Sequence, residues 1–160
     1  MTIQEFYRSR LESEGPVFLR VLRALPADRM DYRPHEKSPS AAEIVRTMVA
    51  ELQGCTHLVD RGRIEWSPPA PRKRDEMIAD WERAYAELAS RAAQLDEAGW
   101  IKPGKFVAGT ITGEQPVGTF LWGLFFDAIH HRGQLTTYIR PMGGKVPSIY
   151  GPSGDAAPGQ

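Results

Sequence analysis

Two residues in the C-terminal third of the sequence have the types and the spacing of metal ligands. Asp127 and His131 are four positions apart, and on an α-helix this spacing puts a carboxylate and an imidazole on one face. Such a pair, directed into a group of helices, is a common half-site for a divalent metal ion. The same spacing occurs in plain hydrogen-bonded pairs, so a third ligand is needed to favour a metal. His130 points to the outer side of the same helix, and we expect His35 and His57 at the surface.

Glu51 is the best candidate for that third ligand. It lies at the edge of an apolar stripe with helical spacing, where a carboxylate is costly unless it is paired or bound to a cation. We therefore predict that Glu51, Asp127 and His131 converge on one pocket and share a divalent ion. Without an ion, the two carboxylates would share a proton or meet Arg132. Cys55 lies within the same stripe and is interpreted as a small core residue rather than a nucleophile.

Four segments with helical periodicity would position these residues. The first runs from Thr2 to Leu25, the second from a capping box at Ser40 to Gly62, the third from about Asp75 to just before Gly99, and the fourth from about Pro116 to Pro141. The glycine-rich segment 99–114 is expected to form a short β-hairpin or a loop. Four amphipathic helices bury their stripes most simply against one another. The sequence therefore predicts an all-α four-helix bundle, with at most a two-stranded hairpin, in one domain spanning residues 1–160.

The charge and composition of the chain argue against several functional classes. It has 20 basic and 20 acidic residues, so it lacks the electrostatic footprint of a nucleic-acid-binding protein. A single cysteine excludes an internal disulfide framework and fits a reducing compartment. No secretory signal is visible at the N-terminus, and the most apolar stretch, residues 117–129, is too short to span a membrane. We expect a soluble, cytoplasmic protein with neither a nucleic-acid nor a membrane partner.

An apolar patch is expected on the last helix, away from its core-facing stripe. Trp122, Phe126 and Ile129 lie on that face. Such a patch needs cover from the tail of the chain or from a second subunit. Because two-fold dimers are the commonest closed assemblies, the sequence predicts a homodimer.

Two stretches of the sequence resemble a known family. The run HRGQLTTYIR at residues 131–140, followed by VPSIYGPS at 146–153, is similar to the C-terminal signature of the DinB-like (DinB/YfiT) superfamily. The segment PHEKSPSAAE at residues 34–43 resembles the region before that family's second helix. The similarity spans nearly the whole chain. It implies a four-helix bundle, often dimeric, with a metal site between helices two and four. Within the first run, Arg132 could pair with a helix carboxylate and Gln134 could bond across the bundle.

The resemblance also implies which residues stand at the family's ligand positions. The usual ligands are one histidine on helix two and two histidines on helix four, four residues apart. His131 matches the last of these, Asp127 stands at the middle position, and Thr47 stands at the first. Because Thr47 is a poor ligand, Glu51 would supply an oxygen one turn later. The ion would be divalent: Zn, Ni, Fe or Mn.

Three functions remain open on this basis. The resemblance implies metal-dependent transfer of a small thiol, of the bacillithiol, mycothiol or glutathione type, onto an electrophilic small molecule. It also implies metal-dependent hydrolysis as an alternative. In both reactions the ion would polarise a substrate or lower the pKa of a thiol or water. The third possibility, which Thr47 favours, is a dimeric binding or structural protein that has lost the metal site and catalysis.

Overall fold

Long helices make up most of the structure. The computed structural model describes residues 1–157, and within that range it has five α-helices and three β-strands. No helix in that range is long and apolar enough to cross a lipid bilayer. The elements in chain order are α1 (Ile3–Ala24), α2 (Ala41–Arg61), β1 (Arg63–Glu65), α3 (Arg74–Gln94), α4 (Glu97–Ile101), β2 (Pro103–Ala108), β3 (Ile111–Pro116) and α5 (Val117–Ile139).

Side-chain caps define the ends of the first two helices. The hydroxyl of Thr2 accepts a hydrogen bond from the amide of Glu5, and the Glu5 carboxylate accepts one from the Thr2 amide. Ser40 and Glu43 form the same capping box at the start of α2. Gly62 ends α2 in the left-handed conformation, with a φ of 74° that glycine adopts without strain. These local signals explain why the sequence predicts both helices to within one residue at each end.

The four long helices contact one another in a closed ring. Helix α2 packs against α3 and α5, and α1 packs against the same two helices. Their apolar stripes meet in one cluster of buried side chains, as helices with a single apolar face require. The ring sets one face of α2 opposite one face of α5. The largest fully buried side chains include Trp81, Tyr7, Phe18, Leu22, Met48 and Leu121.

A three-stranded sheet departs from the all-α prediction. Of the two alternatives for the segment before the last helix, the hairpin is confirmed: β2 and β3 pair antiparallel, with Phe106 opposite Gly113. The limit of two strands is wrong, because β1 pairs parallel with β2 and places Arg63 opposite Lys105. Three residues are too few to show an alternating pattern, and the pairing depends on a partner some forty residues away. The sequence therefore carries no local signal for β1.

The third predicted helix is two helices in the structure. Helix α3 ends at Gln94, and the short helix α4 begins at Glu97. Asp96 lies between them in an extended conformation and accepts a hydrogen bond from the Gly99 amide at 2.8 Å. An aspartate cap of this kind starts a new helix. The predicted end of the third helix, just before Gly99, is therefore wrong by about four residues, because Leu95 continues the apolar spacing past Gln94, and α4 was not predicted.

Candidate metal centre

Glu51 lies on the face of α2 that is turned towards α5. Its side chain is 1% exposed, and no N–H or O–H donor of the described residues hydrogen-bonds to either carboxylate oxygen. A buried carboxylate without a partner has lost its hydration and gained nothing in return. Burial, together with the negative charge of Asp127, raises the pKa of Glu51 to about 10. This position therefore requires either a proton or a cation.

Helix α5 brings two further ligand-type side chains to Glu51. The Nε2 atom of His131 lies 3.5 Å from Oε1 of Glu51 and 3.8 Å from Oδ1 of Asp127. One ligand atom from each of the three residues lies within 4.8 Å of the others. Ligands bound to one tetrahedral ion at about 2.0–2.2 Å are separated by about 3–4 Å. The predicted convergence of Glu51, Asp127 and His131 is thus confirmed, at distances that small side-chain movements can close onto one ion.

The three side chains differ in their access to solvent. Glu51 is 1% exposed, His131 is 17% exposed and Asp127 is 52% exposed. The cluster is therefore closed on the side of α2 and open on the side of Asp127. Sites with three protein ligands and an open fourth position are typical of catalytic zinc centres, whereas structural sites are closed by four ligands. Asp127 is therefore the member of the cluster that contacts solvent most.

Gln134 controls which nitrogen of His131 faces the carboxylates. The Nδ1 atom of His131 lies 2.8 Å from Oε1 of Gln134. Because an amide oxygen accepts but does not donate, Nδ1 donates to it, and in the neutral imidazole the lone pair is then on Nε2. Metal-binding histidines generally have such a partner on the second nitrogen. The expectation that Gln134 bonds across the bundle was wrong, since residues three apart are already neighbours on one helix.

Arg132 does not take part in this cluster. It is buried against α1, where its Nη1 donates to Oε2 of Glu14 at 2.5 Å and its guanidinium lies 4.6 Å from the centre of the Phe18 ring. The Tyr150 hydroxyl accepts from Nη2 of Arg132 at 2.5 Å. The predicted pairing with a helix carboxylate is confirmed, whereas the alternative of Arg132 meeting the Glu51 carboxylate is wrong. Successive residues on a helix point about 100° apart, so this pair holds α5 with His131 directed at α2.

The other residues considered as candidates lie outside the cluster. Cys55, one turn after Glu51, is 2% exposed and part of the hydrophobic core, as predicted. Burial raises the pKa of its thiol, and the nearby charge of Glu51 adds to this effect. Thr47, one turn before Glu51 on α2, is partly buried. His35 is exposed as predicted, whereas His57 is partly buried.

Comparison with known proteins extends over nearly the whole chain. The sequence model of the DinB family matches residues 2–158. The fold is similar to that of a DinB-like protein, YjoA, from Bacillus subtilis, with a TM-score of 0.67 and 20% identity over 86% of this chain and 91% of that chain. It is also similar to a DinB-like protein from Bacillus cereus, with a TM-score of 0.73 and 17% identity over 91% and 97% of the two chains.

A more distant structural neighbour carries a named activity. A mycothiol-dependent maleylpyruvate isomerase aligns with a TM-score of 0.52 and 14% identity, over 90% of this chain and 62% of that one. At such identities the structural likeness shows a shared fold. No curated protein matches the chain.

Proposed function

The chain belongs to the DinB family, and on that premise we propose that it is a divalent-metal-dependent enzyme that transfers a small thiol onto an electrophilic small molecule. The observation that supports this most is the Glu51 carboxylate, which is buried without a hydrogen bond and lies 3.5 Å from Nε2 of His131. A divalent ion would neutralise Glu51 and Asp127 together. Arg132, which adjoins His131 in the sequence, is engaged by Glu14 and gives the cluster no positive charge.

Glu51, Asp127 and His131 are the proposed ligands. Their donor set differs from the three histidines that the resemblance implies, since two of the three positions offer oxygen. Imidazole suits Zn, Fe and Ni, and carboxylate suits harder ions such as Mn. This mixed set is compatible with each of the four ions considered, Zn, Ni, Fe and Mn.

The protein groups around the ion would have distinct tasks. When bound, the ion would lower the pKa of a thiol or water molecule beside it. Gln134 keeps the proton on Nδ1 of His131, so that Nε2 remains a ligand. Asp127 is the ligand in contact with solvent, and a carboxylate in that place can take up the proton that a thiol loses.

The preference for a thiol over water is supported by the isomerase with the shared fold, whose activity is mycothiol-dependent by name. Metal-dependent hydrolysis is the alternative reaction, and a non-catalytic binding role is the alternative class. A low-molecular-weight thiol as substrate also agrees with the cytoplasmic location predicted from the sequence. That location, like the homodimer, remains a prediction.

Cobalt substitution tests the proposal without knowledge of the electrophile. The protein is loaded with Co²⁺ and titrated with bacillithiol, mycothiol and glutathione while its absorption spectrum is recorded. We expect at least one thiol to produce a thiolate-to-cobalt charge-transfer band. That band should be lost in His131→Ala and kept in His130→Ala, whose side chain is exposed on the same helix. Bound cobalt whose spectrum no thiol changes would contradict the proposal.

A second assay separates the two reactions. Thiol conjugation to 1-chloro-2,4-dinitrobenzene and hydrolysis of 4-nitrophenyl acetate are both followed by absorbance, with and without the metal. Metal-dependent conjugation supports the transferase. Metal-dependent hydrolysis that is indifferent to thiols supports the hydrolase instead.

A further inference from the structure

A cavity lies on the far side of α5 from Glu51. It is an open groove of about 570 Å³ between α1 and α5. Trp122 is nine residues from His131, which places it about 180° away around the helix. The volume is within the range of about 300–1,000 Å³ that is usual for small-molecule sites. The apolar part of the wall is formed mainly by Ile3, Phe6, Trp122, Phe126 and Ile129.

Two hydrogen-bond donors in this groove have no acceptor in the described part of the chain. Nε of Arg10 and Nε1 of Trp122 are both buried and both without a hydrogen-bond partner. The Phe6 ring lies beside both residues, 5.8 Å from the Arg10 guanidinium and 5.7 Å from the Trp122 ring. A buried donor without an acceptor costs about 1–3 kcal/mol, and more when it is charged. Both nitrogens lie beneath the surface of the groove, whose wall Arg10 and Trp122 help to form.

The positive charge of Arg10 is also not balanced within the groove. Glu14 lies one turn further along α1 and lines the same groove. Its carboxylate, however, accepts hydrogen bonds from Arg132 and from the Tyr150 hydroxyl. Between residues 1 and 157, no carboxylate lies within ion-pair distance of Arg10. The lining thus carries one positive charge in excess on an otherwise apolar wall.

From these observations we infer that the groove binds an amphipathic anion, a carboxylate or sulfonate with an apolar body. The anionic group pairs with the guanidinium of Arg10, which lines the groove and has no carboxylate partner within residues 1–157, and hydrogen bonds between charged partners are the strong ones. The apolar body lies along Phe6, Phe126 and Ile129. This site is independent of the metal centre, from which α5 separates it.

The charge also distinguishes such a ligand from a second copy of the chain. Phe126 is 61% exposed and Ile3 is 51% exposed, so a dimer contact could bury the same apolar wall. In a two-fold contact the same patch meets itself. The second copy would therefore bring another Arg10 whose charge is not balanced. An anion balances this charge.

Isothermal titration calorimetry with octanoate and 1-octanol on the metal-loaded full chain tests this inference. We expect octanoate to bind once per chain and 1-octanol at least tenfold more weakly. Arg10→Gln should reduce the octanoate affinity at least tenfold and leave that of 1-octanol unchanged. Arg23→Gln is the matched control, because it removes a charge from the same helix outside the groove. His131→Ala should retain octanoate binding, which separates the groove from a carboxylate bound to the metal.

Several results would overturn the inference. These are equal affinities for octanoate and 1-octanol, equal octanoate affinity in Arg10→Gln and Arg23→Gln, or loss of octanoate binding in His131→Ala. The oligomeric state measured by light scattering provides a further test. A dimer that dissociates on Phe126→Glu and does not bind octanoate would show that a second copy fills the groove. A dimer that is unchanged by Phe126→Glu and binds octanoate would support the anion site and place the dimer contact elsewhere.

Discussion

The stability of the metal-free protein should depend on pH through Glu51. Its pKa is raised from the ordinary value of 4.5 to about 10 in the folded chain. Between these two values the folded chain keeps a proton that the unfolded chain releases, so the free energy of unfolding falls as the pH rises. The slope for one such group is about 1.4 kcal/mol per pH unit. Between about pH 5 and about pH 8, Glu51 therefore costs the protein about 4 kcal/mol.

Glu51→Gln removes this titration. The free energy of unfolding of the variant, relative to the wild type, should increase by about 4 kcal/mol over the same pH interval. Urea unfolding of chelator-treated samples, followed by circular dichroism, measures the difference. Glu87→Gln, on the exposed side of α3, is the control and should show no such trend. A difference between Glu51→Gln and wild type that stays constant from pH 5 to pH 8 would refute the reasoning.

Three further predictions concern the scaffold. Glu14→Ala should lower the free energy of unfolding by about 3–5 kcal/mol, because the arginine of α5 that it pairs with remains buried and charged; a loss below about 1 kcal/mol in urea unfolding would be inconsistent with this. The Cys55 thiol, buried and with a raised pKa, should react with Ellman's reagent in guanidinium but not in the native protein, so rapid native labelling would count against its burial. Gly118→Ala should destabilise by about 1–3 kcal/mol, because a Cβ there would overlap the indole of Trp100. Gly123→Ala, on the same helix with open space around it, should stabilise by about 0.5–1 kcal/mol, and equal thermal shifts for the two variants would contradict this account.

The ligand cluster was predictable because two independent local signals point to it. Asp127 and His131 share a helix face by spacing alone, and Glu51 stands out as a carboxylate at the edge of an apolar stripe. The hydrogen bond from His131 to Gln134 was not predicted. That bond depends on the rotamer that each side chain adopts, and the sequence pattern allows Gln134 to bond along its helix or across to another.

The fold shows the same division between local and non-local information. Capping boxes and a terminal glycine predict α1 and α2 closely, whereas β1 depends on a distant partner and leaves no pattern in three residues. The sequence predicts an apolar patch around Trp122 that the tail or a second subunit covers. In the structure, α1 covers part of this patch, because the Phe6 ring lies 5.7 Å from the Trp122 ring. The groove beside them depends on how α1 and α5 pack, which the sequence does not encode locally.

The metal content of the untagged protein tests the central claim most directly. The wild type, His131→Ala and His130→Ala are purified without a histidine tag or chelator, incubated with Zn²⁺, Ni²⁺, Fe²⁺ or Mn²⁺, and desalted. Their metal content is then measured by inductively coupled plasma mass spectrometry. The account predicts about one equivalent of one of these ions in the wild type and in His130→Ala, and a loss of at least tenfold in His131→Ala. Equal metal content in the wild type and His131→Ala, or none in the wild type with any of the four ions, would contradict it.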